Sequence, residues 1–146
     1  MHLKNNSVLT LFILLAGLCA AQPKVSLTGP EQARPGAGTG LVLKIERNGV
    51  QGIVRFIQEM PAGWEIIPSF EPFPGVSVED GFHKAVWLSF PLADTVVYSY
   101  LLRIPPTENK TVILKGRLEY FENGKLVSFN VPAFEVKLRR HFSRFL

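Results

Sequence analysis

Apolar and polar positions alternate along most of this chain in short runs broken by turn dipeptides, a pattern that predicts strands rather than helices. Two Asn-Gly pairs allow the alternation to be tested. A two-residue turn at Asn48-Gly49 predicts a hairpin that aligns Leu41 with Phe56, Leu43 with Val54 and Ile45 with Gly52. Its other face would hold Val42, Lys44, Glu46, Gln51, Ile53 and Arg55. A turn at Asn123-Gly124 likewise aligns Leu118 with Phe129, Tyr120 with Val127 and Gly116 with Val131, leaving Arg117, Glu119, Ser128 and Asn130 outside. Glu122 and Lys125 flank that turn as an opposite-charge pair. A slip of one residue would turn each apolar face outward, so turn chemistry and periodicity support each other.

Other segments complete an all-β plan. Residues 24–27 predict an edge strand, and 29–40 a flexible Pro/Gly-rich connection. Asp80-Gly81 predicts a third hairpin, between residues 75–79 and 82–91. Residues 95–104 are apolar on both sides, which predicts a central strand, closed by Pro105-Pro106. Residues 133–138 predict the last strand. No helical segment of useful length and no internal repeat is present. The expected fold is a single antiparallel β-sandwich of about eight strands, immunoglobulin-like or jelly-roll.

The termini qualify this picture. Residues 1–21 have a positive start, an apolar run from Val8 to Leu18 broken only by Thr10, and small residues at Ala20 and Ala21. That is the layout of a secretory signal peptide, and its apolar run is too short to span a membrane. The expected division is therefore a leader at 1–21, a sandwich at 22–138 and a tail at 139–146. Export places the protein in the periplasm or outside the cell. The only cysteine, Cys19, falls in the leader. Lipid anchoring there is the lesser alternative, because Leu18 stands where a lipidated cysteine wants a small residue. A domain without disulfides points to a bacterial envelope or secreted protein. The sequon Asn109-Lys110-Thr111 matters only in a eukaryotic secretory pathway.

Charge is unevenly placed. Of 16 Lys and Arg residues, Lys4 lies in the leader and Lys137, Arg139, Arg140 and Arg144 at the end, which leaves 11 against all 12 acidic residues. The body is near neutral, which argues against nucleic acid as a partner. Wound as a helix, the tail would gather Leu138, Phe142, Phe145 and Leu146 on one side, with Arg139, Arg140 and Arg144 elsewhere. It is a candidate surface for an anionic membrane or a partner, or else a solvated terminus.

Catalytic chemistry is thinly supplied. Residues 22–146 have two histidines, His83 and His141, and two aspartates, Asp80 and Asp94, with no G-x-S-x-G elbow. Glu71, Glu79 and Glu119 are candidate glycosidase carboxylates, though scattered strand glutamates are usually solvated. Glu79-Asp80 reads as a turn and His83 as a satisfied strand-end histidine, so neither metal nor cofactor is expected. The most unusual segment, residues 61–75, sets Trp64, Phe70 and Phe73 among prolines and glycines. Those rings form a platform for a sugar or peptide if exposed, or cap the core if buried. Trp87, on a strand, reads as core.

Residues 96–131, with residues 56–64 (FIQEMPAGW) and 87–91 (WLSFP), resemble cohesin-like and related immunoglobulin-like domains of bacterial exported proteins. The resemblance lies in core and turn patterns across most of the domain. It implies a non-enzymatic protein that binds other proteins in the cell envelope, through adhesion or scaffold assembly, or that binds carbohydrate. It carries over no binding residue.

Overall fold

Strand pairing sorts the chain into two layers. The computed structural model describes residues 22–67 and 73–139. Ten strands lie among them: β1 (Lys24–Thr28), β2 (Gln32–Ala33), β3 (Gly38–Glu46), β4 (Val54–Glu59), β5 (Glu65–Ile67), β6 (Gly75–Glu79), β7 (Phe82–Trp87), β8 (Thr95–Arg103), β9 (Val112–Glu122) and β10 (Lys125–Leu138). One sheet has the order β1-β3-β8-β5 and the other β2-β10-β9-β4-β7-β6. All pairings are antiparallel except that of β2 with the end of β10. The leader, Pro68 to Pro72 and the tail beyond Arg139 lie outside the described residues.

The hairpin at Asn123-Gly124 forms in the expected register, with Leu118 opposite Phe129 and Tyr120 opposite Val127. Both turn residues have positive φ, the conformation that Asn-Gly supplies at least cost. The Asp80-Gly81 hairpin also forms, although β7 stops at Trp87 because Phe90 turns into the core. The 133–138 strand is not separate. It continues β10 past an irregularity between Val131 and Phe134.

The Asn48-Gly49 hairpin does not form. The turn itself is present, with positive φ at both residues and the Val50 N–H donating to the Arg47 carbonyl at 3.0 Å. Beyond it Gly52, also at positive φ, redirects the chain into the other sheet. β3 then pairs with β1 and β8, while β4 pairs with β7 and β9. The expected apolar sets are nonetheless buried: Leu41, Leu43 and Ile45 on β3, Val54 and Phe56 on β4. They pack from opposite layers. The 29–40 connection is also more ordered than expected, since it contains β2.

β4 and β9 approach closely at Gly116, which lies beside Gln58 in the ladder. A Cβ there would sit 2.9 Å from Phe56 Cε2 and 3.1 Å from the Ile57 carbonyl oxygen. Gly116→Ala is expected to lower stability by about 1–3 kcal/mol through overpacking. Denaturant titration checks this; an unchanged midpoint would show that the ladder absorbs the methyl group.

Candidate functional site

Alternation along β8 puts Val96, Tyr98, Tyr100 and Leu102 in the core and turns Val97, Ser99 and Leu101 outward. The strand expected to be apolar on both sides is thus central in its sheet but open on one face. Val97 is 58% exposed and Leu101 46%. On β3, Val42 lies opposite Ser99 and diagonal to both. Ile67 of β5 pairs with Leu101 from the other side. These four side chains form a continuous apolar stripe across three strands.

Two glycines keep the stripe flat. A Cβ at Gly40 would lie 3.6 Å from Leu101 Cδ2, and one at Gly38 would lie 3.4 Å from Ile67 Cδ1. The larger side chains therefore lie over bare backbone instead of standing beside neighbours of equal height. Charged groups rim the stripe, including Lys44 and the Arg103–Glu65 pair at 3.4 Å. A flat apolar centre with a polar rim is the composition of a protein-docking surface.

The outward face of the six-stranded sheet has a different character. Glu119 is almost buried, and its two oxygens accept from Arg55 Nη2 at 2.7 Å and Arg117 Nε at 2.9 Å. The sequence placed Glu119 outside as a solvated residue or candidate acid, but two guanidiniums occupy its carboxylate. Glu79 likewise pairs with Lys84 at 3.2 Å, and Glu71 lies outside the described residues. No group of three or more His, Cys, Asp or Glu side chains among the described residues is placed to hold a metal. An open depression is lined by Ile57, Phe82, Lys115, Arg117 and Asn130.

Two aromatic candidates part company. Trp64 is only 5% exposed, and its Nε1 donates to Glu108 Oε2 at 3.0 Å. That bond holds the Glu108 carboxyl below the usual carboxylate range. Phe73 is 72% exposed, and Phe70 lies outside the described residues. Trp64 is therefore part of the core's end and cannot present its ring to a sugar. In the tail, Leu138 ends β10 and the Arg139 N–H donates to the Ala33 carbonyl at 2.8 Å. Leu138 thus ends the last strand where the sequence expected, and Arg139 follows it on a backbone bond to β2. Arg140, Phe142, Arg144 and Phe145 lie outside the described residues.

His83, the second residue of β7, is fully buried, and both of its ring nitrogens have partners. Its Nδ1 lies 3.2 Å from Gln58 Oε1, its Nε2 2.9 Å from the Tyr98 hydroxyl, and the Tyr100 hydroxyl donates to Gln58 Oε1 at 2.9 Å. A neutral ring with its proton on Nδ1 satisfies this arrangement, with Tyr98 donating to Nε2. Burial pushes the His83 pKa down to about 4 and raises those of both tyrosines.

No family model and no curated protein sequence matches the chain. Among solved structures, a non-cellulosomal cohesin from the hyperthermophilic archaeon Archaeoglobus fulgidus superposes with a TM-score of 0.61 at 15% identity. The match covers 82% of this chain and 93% of that one. In fold, the chain is similar to a cohesin. A looser likeness, with a TM-score of 0.49 at 7% identity, is to a GH20 exo-β-N-acetylglucosaminidase from Vibrio harveyi, of which 18% is covered, against 82% of this chain. The cohesin-like sandwich agrees with the resemblance read from the sequence.

A histidine held neutral by burial binds fewer protons folded than unfolded between pH 6.5 and about 4. Its contribution is complete above pH 6.5 and is lost as pH falls to about 4. Relative to a His83→Gln variant, the native protein should lose about 3 kcal/mol of stability between pH 7 and pH 4. Paired denaturant titrations at the two pH values measure this, and a constant difference would contradict it.

Proposed function

We propose that this chain is an exported, non-catalytic interaction domain that docks a protein partner on the outward face of its four-stranded sheet. The observation that carries the reading is the stripe of exposed Val42, Val97 and Leu101 with half-buried Ile67, flat across three strands. Burying such side chains against a partner gains roughly 25 cal/mol for each Å² removed from water. The rim charges would set orientation more than affinity. The cohesin-like fold and the leader-like residues 1–21 support a role in adhesion or assembly at the bacterial envelope, in the periplasm or outside the cell. Carbohydrate binding by an aromatic platform loses one of its three rings with Trp64.

Two measurements test this. Capture from envelope fractions should recover a partner with the native chain and with a Lys115→Glu control on the opposite sheet. A V97D/L101D variant should lose that partner by tenfold or more, corresponding to about 1.4 kcal/mol or above. Both replaced residues point outward, so its thermal midpoint should remain near native. Equal recovery by the variant would overturn the assignment of this face. For export, fractionation of cells producing the full chain should find it outside the cytoplasm, and retention inside would remove that part of the reading.

A further inference from the structure

We propose that β6 is a dimerisation edge, where two copies of this chain pair their β6 strands antiparallel about a twofold axis through Ser77. The two six-stranded sheets would thereby join into one.

Among the described residues β6 has a neighbour on one side only, and all five of its residues are exposed. Counting from the Asp80-Gly81 turn, Glu79, Ser77 and Gly75 exchange hydrogen bonds with Phe82, Lys84 and Val86. The N–H and C=O groups of Val76 and Val78 therefore point away from the sheet. Edge strands usually carry a lysine, a proline or a bulge that discourages pairing. Gly75-Val76-Ser77-Val78-Glu79 contains none of these; Pro74 lies just before it, and its one charge, Glu79, sits at its end and is paired with Lys84. The other described edges are poorer templates: β2 has two residues, β5 has three, and β1 carries Lys24.

The side chains point to the same open edge. Val76 and Val78 pair with Ala85 and His83, both fully buried, and so share their inward side of the sheet. Yet they are 42% and 53% exposed, because the smaller sheet does not extend over them. A second β6 would set Val76 against Val78 of the partner subunit, and the reverse by symmetry. That gives two hydrogen-bonded pairs, four backbone bonds and a ridge of four valines.

The pairing also brings no like charges close together. Centred on Ser77, the pairing places Glu79 opposite Gly75 of the partner subunit. The two Glu79 residues then lie about 13 Å apart along the strands, beyond the ~8 Å screening length at physiological salt. Each already pairs with its own Lys84. Such an isologous joint is small, which predicts a dimer that dissociates on dilution.

Sedimentation velocity over a concentration series reads the association. The native chain should pass from monomer to dimer as concentration rises. V76K/V78K should remain monomeric with a native-like circular dichroism spectrum and thermal midpoint, both sites being exposed. Ser77 would face itself across the axis as a non-hydrogen-bonded pair, close enough for a disulfide. With Cys19→Ser in the background, S77C should cross-link on mild oxidation about tenfold faster than S26C on β1, owing to its high effective concentration. A native chain that stays monomeric up to about 1 mM, the effective-concentration scale of a tethered pair, would overturn the proposal. So would a dimer that survives V76K/V78K, or S77C cross-linking no faster than S26C. Because V97D/L101D lies on another face, it should leave the dimer intact, so the two proposals can fail separately.

Discussion

Two hydrogen bonds across the core seam govern how one sheet sits on the other. Tyr98 and Tyr100 stand on β8 in the four-stranded sheet, while His83 and Gln58 stand on β7 and β4 in the six-stranded sheet. The Tyr98–His83 and Tyr100–Gln58 bonds, each 2.9 Å, bridge the layers. Apolar contact attracts without direction, so it would tolerate sliding of one sheet over the other. Hydrogen bonds between buried groups do not, because a misplaced layer leaves each partner unmatched at a cost of roughly 1–3 kcal/mol. Aromatic contacts reinforce the bridge, with Tyr98 stacked on Tyr100 and Trp87 edge-on to both Tyr98 and Phe90. With the only cysteine at position 19, no disulfide between described residues can share this task.

The outer surfaces follow from that inner constraint. Once Tyr98 and Tyr100 face inward, strand alternation leaves Val97, Ser99 and Leu101 no direction but outward. On the opposite layer, alternation brings Arg55, Arg117 and Glu119 together on adjacent strands, where the charges satisfy one another. One outer face thus sets the Arg55–Glu119–Arg117 cluster beside the exposed pair Phe121 and Leu126, while the other carries the stripe of Val97 and Leu101. The unequal sheets add a third consequence, since the larger one overhangs at β6 and leaves Val76 and Val78 uncovered. Face and edge are separate features with one origin in the layer geometry.

Much of the fold was legible in the chain because its turns are chemically explicit. Asn123-Gly124 and Asp80-Gly81 adopt positive φ at both residues and join the strands that local reasoning pairs. Asn48-Gly49 makes the same kind of turn but leads elsewhere, for a specific reason. An alternating pattern says which side chains are buried, not whether two buried faces lie side by side in one sheet or face to face in two. Leu41, Leu43, Val54 and Phe56 satisfy either arrangement. Gly52 at positive φ and the Phe90 N–H bond to its carbonyl select the second, and neither is visible from the turn dipeptide. β2 was hidden for a related reason, because its two residues gain their ladder from β10, more than a hundred positions away.

The candidate site was legible only in part. Trp64 and Phe73 sit in one aromatic-rich segment, and nothing local reveals that Glu108, 44 positions on, caps the indole of one while the other stays exposed. The stripe on β8 is different, because its signal was present in the sequence. Residues 95–104 carry apolar side chains on both faces, which by itself suggests a strand buried on both sides. A two-layer sandwich, however, has no third layer to cover the outer face of any strand. Among the described residues, Val97 and Leu101 have no helix or sheet to lie under. The doubly apolar run and the sandwich together imply an open apolar face, and Val42 and Ile67 complete it only because strand pairing brings them alongside.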